Sequence, residues 1–311
     1  MSSEGGEDVS IGPIICLGHS KPVSYLHYTS TTDDGYFLMS SCLDGKPMVR
    51  EGKTGDWIGS LIGHKGAVWS ARLNGDATLA VTASGDFSAK LWNAVNGEEL
   101  CNLNHNHIVK TACFNTDSSV FLTGGKEKKI RIFDVARPEA DPKIIQLDAS
   151  IQQILNPADP NLMLCCGEEK GIRIVDLRTQ KIEHTLETND PVTYLSLSSD
   201  QNVLSCAANQ ELLFFDARSF TLQKTLTMPR ETKCVAYHPP SGRVITGSTE
   251  SWCRVYDYNT GLETNSNKGH HAMIRCVDFA PDGLSYATGS EDGTIRIWDE
   301  KALATEQERK M

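Results

Sequence analysis

An imidazole, a hydroxyl and a carboxylate stand close together early in the chain: His64 in LIGHKGAVW, then Thr82 and Asp86 in TASGDFSAKLW at 82–92. These are the groups of a nucleophilic relay, in which a histidine takes the hydroxyl proton while an acid orients the histidine. The same groups return near the end of the chain. His270 precedes Thr288 by 18 residues, as His64 precedes Thr82; Asp292 and Asp86 follow by four, and Trp298 and Trp92 by six more. A relay also needs an exposed nucleophile beside an oxyanion site. A constellation that is duplicated points to a task repeated along the chain.

The elements that carry these residues repeat as well. FLTGGKEKKIRIFD at 121–134, VITGSTESWCRVYD at 244–257 and YATGSEDGTIRIWD at 286–299 align by their endings. Their terminal acid or its equivalent falls at Glu51, Asn93, Asp134, Asp176, Asp216, Asp257 and Asp299, in steps of 40 to 42 residues. Within each unit, runs such as AVWSARL, ATLAVTA and SAKLWN alternate apolar and polar residues, with turns made by NGD, SGD and VNG. That is the pattern of short strands, and nothing of length reads as a helix.

A period of 40 to 45 residues with Gly-His and Trp-Asp signatures is similar to the WD-repeat family, whose units each supply four strands to a propeller blade. The resemblance implies an all-β, seven-bladed propeller over residues 12–299. Outer-strand segments number one before the first unit, GPIICLGH, and none after Trp298-Asp299. Residues 12–17 are therefore expected to supply the outer strand of the last blade, closing the ring and hiding two sheet edges. Residues 1–11 and 300–311 are expected to be polar tails.

Antiparallel alternation places the Gly-His loop and the turn between the second and third strands at one end of each blade. The family resemblance implies that acid, histidine, hydroxyl and indole there form a hydrogen-bonded chain holding the loop to the blade: His64, Thr82, Asp86 and Trp92 in the second unit, and His270, Thr288, Asp292 and Trp298 in the last. A buried indole N–H needs an acceptor, and a neutral imidazole donates at one nitrogen and accepts at the other. The hydroxyls are then committed, and no catalytic residue is expected. The third unit keeps His105 and Thr123 with Glu127 and Phe133; the first keeps His19, Ser40 and Asp44 with Arg50 in the tryptophan place. The fourth to sixth units lose most of the set, so their blades are expected to rely on apolar packing alone and to open more readily.

Composition excludes several classes. The net charge is -10 over 311 residues, which disfavours binding to nucleic acid by general phosphate attraction. Ten cysteines form no C-x-x-C, as expected for buried thiols in a reducing compartment. No apolar run approaches 18 residues, so no membrane insertion is expected, and cytoplasm with or without nuclear access is the expected location. His105-Asn106-His107 could begin a metal site but has no third ligand nearby, and Gly124-Gly125-Lys126 lacks the spacing of a phosphate loop. Neither a metal nor a cofactor is expected.

One surface stands apart. The residue after the first apolar position of each inner strand should point toward the channel mouth at the Gly-His end: Ser24, Trp69, Lys110, Gln152, Thr193, Lys233 and Arg275. With Lys126 and Lys128 from a turn at that end, Trp69, Lys110, Lys233 and Arg275 would form a cationic, aromatic rim for an acidic or extended peptide.

The stretches DGKPM, TGDWIG and GHKGAVW within 35–69, and HIVKTACFNTDSSVFLTGGKEKKIRIFDVARPEADPK at 107–143, resemble the unrip family of WD-repeat adaptors. That resemblance implies a noncatalytic, monomeric scaffold of the survival-of-motor-neuron complex. Such adaptors assist Sm protein assembly on spliceosomal small nuclear RNAs, touching RNA through partners, and animal relatives also engage receptors. Two other readings are the small propeller subunit of translation initiation factor three, which shares the V-x-x-V-N-G-E and Gly-His styles, and an enzyme with a pocket in the channel.

Overall fold

The structure, a computed structural model, describes residues 12–299. The expected tails at 1–11 and 300–311 lie outside the described residues. Seven four-stranded antiparallel sheets account for nearly everything else, arranged in chain order as seven blades. The second blade shows the plan, with strands Val68–Leu73, Leu79–Ser84, Ser88–Asn93 and Glu99–Asn104 running from the innermost to the outermost position. The third strands end at Glu51, Asn93, Asp134, Asp176, Asp216, Asp257 and Asp299, the positions at which the sequence repeats align. Among the described residues the only helical segment is one 3-10 turn, Pro239–Ser241, and no helix is long and apolar enough to cross a membrane.

The ring closes through its first strand. Ile14–Cys16 pairs antiparallel with Ile295–Asp299, Ile14 opposite Ile297, and so completes the seventh blade. Side chains complete the seam: the Tyr36 hydroxyl donates to Asp282 at 2.8 Å, and Asp278 accepts from the Tyr28 amide at 2.9 Å. Gly55 turns there with φ +75°, and a Cβ on it would lie 2.5 Å from the Cys16 sulfur. Only glycine supplies both the left-handed backbone and the clearance.

Blades stack through apolar faces. Val81, Ala83 and Leu91 of the second blade pack with Val109, Ala112 and Phe121 of the third, all buried. Each blade alone would leave such a face wet, so stability resides in repeated interfaces. Polar side chains on the inner strands tie neighbours around the channel. Ser24 Oγ donates to the Val68 carbonyl at 2.7 Å, Thr111 Oγ1 accepts from the Ile154 amide at 3.0 Å, and Gln153 bonds both backbone groups of Leu195.

Candidate functional site

The groups that could do chemistry meet inside the second blade and are used up there. His64 Nδ1 lies 2.8 Å from Asp86 Oδ2, His64 Nε2 lies 2.7 Å from Thr82 Oγ1, and Trp92 Nε1 lies 2.9 Å from the same oxygen. Donor counting fixes the protons. An indole N–H can only donate, so Thr82 Oγ1 accepts it; the hydroxyl's own hydrogen then goes to His64 Nε2, leaving Nδ1–H to donate to Asp86. The histidine must therefore be neutral. Burial indeed holds the His64 pKa below its ordinary value against the raising effect of Asp86. Burial alone would raise the Asp86 carboxyl, but hydrogen bonds from Ser88, His64 and the Lys65 amide hold it far below the usual range. Because Asp86 also accepts from that backbone amide at 2.9 Å, the chain pins the Gly-His loop to the turn.

The seventh blade repeats this arrangement. His270 Nδ1 to Asp292 is 3.0 Å, His270 Nε2 to Thr288 is 2.8 Å and Trp298 Nε1 to Thr288 is 2.9 Å. Thr82 and Thr288 are fully buried, so neither hydroxyl faces a substrate-sized opening.

Blade one keeps His19, Ser40 and Asp44, with His19 at 2.9 Å from Ser40 and 3.1 Å from Asp44. Arg50 in the tryptophan place turns away to the carbonyls of Leu17 and Gly55. His19, Cys42 and Asp44 also lie close enough together to hold an ion. Their donors are already engaged: His19 spans Asp44 and Ser40, and the Cys42 thiol, pushed up to about 12 chiefly by burial, donates to the Lys21 carbonyl. In blade three His105 Nε2 pairs with Thr123 at 2.8 Å, and Nδ1 donates to the Leu103 carbonyl. His107 accepts its neighbour's amide and lies tilted against Phe87, so the His105-Asn106-His107 pair does not converge on a metal.

For the fourth to sixth blades the expectation of apolar packing alone needs correction. Where the acid becomes glutamate, an arginine four residues later pairs with it: Glu169 with Arg173, and Glu250 with Arg254 at 2.7 Å. Blade three does the same through Glu127 and Arg131 at 2.6 Å, and the Glu127 carboxylate also accepts the Asn106 amide. A longer acid paired to the third strand takes over the turn where the tryptophan is absent, with the histidine still present in blade three and lost in blades four and six. Blade five lacks this device; its Ser205 hydroxyl is buried without a hydrogen-bond partner, and Asn209 reaches Asp190 at 3.1 Å.

The channel mouth is built by a backbone feature that alternation does not reveal. Six inner strands shift register after their first residue, between Val23 and Tyr25, Val68 and Ser70, Val109 and Thr111, Ile151 and Gln153, Thr232 and Cys234, and Ile274 and Cys276. A bulge leaves one residue unpaired and re-aims its side chain. The skipped residues include Trp69, Lys110, Lys233 and Arg275, and all four line one cavity of about 290 Å³, whose wall also holds Ser24, Gln152 and Thr193 and whose floor reaches Tyr25 and Tyr194. Lys126 and Lys128 lie outside that lining; Lys126 pairs with Glu168, and Lys128 is exposed.

Charge at the mouth is uneven. Arg275 donates to Glu291 at 2.9 Å, and Lys233 pairs with Glu231. The Lys110 ammonium lies 3.1 Å from the centre of the Trp69 ring, a cation over an aromatic face. Its pKa is lowered to about 8 by burial first, then by the nearby charges of Lys126 and Arg275. At the other end of the channel a second cavity of about 240 Å³ lies under Tyr25, Arg72 and Tyr194, which meet across the axis. Sequence reading missed this cavity.

The WD domain, G-beta repeat family matches residues 55–93, 97–134 and 262–299. Each match begins with the outer strand of one blade and ends with the third strand of the next, an overlap that interlocks the ring. The chain is 43% identical over 290 residues to the serine-threonine kinase receptor-associated protein of Dictyostelium discoideum, covering 92% of this chain and 98% of that one. To the Mus musculus protein of the same name it is 44% identical over 287 residues, 92% of this chain and 82% of the relative. Similarity to eukaryotic translation initiation factor 3 subunit I of Culex quinquefasciatus is lower, 28% over 320 residues, at 92% and 95% coverage.

Proposed function

This chain belongs to the serine-threonine kinase receptor-associated protein family of WD-repeat propellers, and from that membership we propose that it is a noncatalytic scaffold acting as an adaptor in ribonucleoprotein assembly. The observation that carries this reading is 43% identity along 98% of a family member, against 28% for the initiation-factor subunit. In this reading the propeller works as a single ring in the cytoplasm, with or without nuclear access. It holds proteins of the survival-of-motor-neuron complex while Sm proteins load onto small nuclear RNAs, and it meets RNA through those proteins. Support for a noncatalytic role comes from the hydroxyls of Thr82 and Thr288, which are spent on indole and imidazole partners inside the blades. A scaffold needs surface held in fixed geometry, and pinned loops provide it.

Affinity capture from native extract tests this. Sm proteins and survival-complex subunits are the expected co-purifying set. Recovery of initiation factor three subunits in their place would transfer the assignment to translation initiation, and recovery of receptor complexes alone would transfer it to signalling.

A further inference from the structure

Of the three cations in the channel mouth, two already hold a carboxylate: Arg275 holds Glu291, and Lys233 holds Glu231. Lys110 does not. Its ammonium rests on the Trp69 ring and has no oxygen acceptor among the described residues. An ammonium that is half out of water, near the cations Lys126 and Arg275, with the nearby Glu168 carboxylate held by Lys126 and no carboxylate of its own, is arranged to receive a negative charge. The cavity beside it is roomy enough for one or two side chains, and the half-buried Trp69 forms a flat wall. Large aromatic side chains at such a position carry much of the binding energy in protein interfaces.

We propose that the channel mouth takes an aspartate or glutamate side chain from an acidic peptide segment, with Lys110 as its ion-pair partner and Trp69 as the wall it lies against. This rests on the scaffold reading and names the partner chemistry at one of its surfaces. The resident pairs with Glu291 and Glu231 indicate the group these cations accommodate, a carboxylate on a flexible stem. A polynucleotide fits poorly. Glu231 and Glu291 pair with the mouth cations Lys233 and Arg275, and Glu168 with Lys126, on a chain of net charge -10, whereas a polyphosphate needs a long run of unopposed cations. Each of those glutamates is already paired to a cation, Lys126, Lys233 or Arg275, so one acid meets far less repulsion than a polyphosphate chain would.

The test is selection from a random decapeptide library displayed on phage, with the full chain as bait, followed by titration of the selected peptides. Lys110→Gln and Arg275→Gln serve as variants, Lys110→Arg as the charge-conserving control, and an oligouridylate as the competing macromolecule. Circular dichroism and unfolding temperature establish that the variants keep the ring. Selected peptides should share an acidic residue and bind Lys110→Gln about tenfold or more weaker, the order expected for a hydrogen bond to a charged group. Converting that acid to its amide should cost the same factor on the wild type and nothing further on Lys110→Gln. Peptides that bind Lys110→Gln unchanged, a library without any Lys110-dependent binder, or displacement by oligouridylate would each overturn the proposal. Native capture with wild type and Lys110→Gln separates the two readings. Partners held equally by both remove the mouth and leave the scaffold, whereas no partner on either removes the scaffold itself.

Discussion

Replacing Thr82 by valine should unfold the ring about 3 kcal/mol more easily, although the two side chains have nearly the same shape. Thr82 Oγ1 is the acceptor for the Trp92 N–H at 2.9 Å and the donor to His64 Nε2 at 2.7 Å. Trp92 and the His64 side chain are fully buried, so water cannot replace either bond. Each buried polar group left unpaired costs about 1–3 kcal/mol, and two are orphaned at once. At about 2.1 cal/mol/K of unfolding entropy per residue, a ring of this size shifts by a little under 2 °C per kcal/mol, so the melting temperature should fall by about 5 °C. Thr246→Val is the internal comparison. Thr246 is also buried in a second strand, but its hydroxyl pairs only with the Arg254 carbonyl at 3.5 Å, with Tyr256 in the tryptophan place. That substitution should cost less than about 1 kcal/mol. Urea midpoints at constant slope provide the measurement, and Trp92→Phe combined with Thr82→Val should show a coupling of about 1 kcal/mol. Equal losses for Thr82→Val and Thr246→Val, or additive behaviour of the pair, would refute the reasoning that the hydroxyl is a hub.

Acid should weaken the ring in two stages. Buried His64 and His270 have folded pKa values held by burial below the ordinary 6.5 of an imidazole, so the unfolded chain takes protons first and stability falls as pH drops through that value. Asp86 and Asp292, whose folded pKa values are also lowered, add a second loss as pH falls below 3.8, and His64→Gln with His270→Gln should shrink the first stage in urea midpoints measured from pH 8 to 5, leaving the part due to buried His19 and His105. Removing residues 1–17 deletes the strand Ile14–Cys16 from the seventh blade and uncovers the edge at Ile295–Asp299. Stability should drop by at least about 2 kcal/mol and the chain should self-associate, as seen by light scattering. All ten cysteines are buried and free, with every thiol pKa raised mainly by burial. A thiol reagent should therefore react slowly with the native chain and count all ten only after unfolding.

The blade count and closure were legible because both follow from spacing. An acid, or Asn93 in its place, every 40 to 42 residues marks the end of each third strand, and a spare outer-strand segment at one end of the chain must be used at the other. The meeting of His64 with Thr82 was legible for the same reason, since antiparallel topology converts 18 residues of separation into contact. What escaped was substitution by a different device. Glu169 and Glu250 looked like lost aspartates when each position was compared by itself; the arginines four residues on, Arg173 and Arg254, carried the signal. The channel interior escaped because a bulge reverses the parity of alternation, so residues beyond it face the other way from what the pattern suggests. Trp69 and Lys110 were placed at the mouth by their distance from the first apolar residue. The second cavity, beyond the bulge, needed the register itself.

The buried chains and the open mouth are parts of one arrangement. In the second blade Asp86, fixed by His64, sits beside Gly85, and the position of a Cβ on Gly85 lies 3.4 Å from the Trp69 indole nitrogen. In the seventh, Glu291 precedes Asp292, which His270 fixes, and Glu291 receives Arg275. The turn held by each chain is thus the turn against which a mouth residue rests. In the third blade the backbone does this directly. A Cβ on Gly125 would lie 2.9 Å from the Lys110 amide, so Lys110 emerges at a place where only glycine permits so close a turn. Binding energy is lost when side chains must be ordered at the moment of association, and rigid support reduces that loss. The two blades that keep the full acid, histidine, hydroxyl and indole set are the two that brace Trp69 and Arg275, which gives the polar groups inside the blades a consequence at the surface without any of them reaching it.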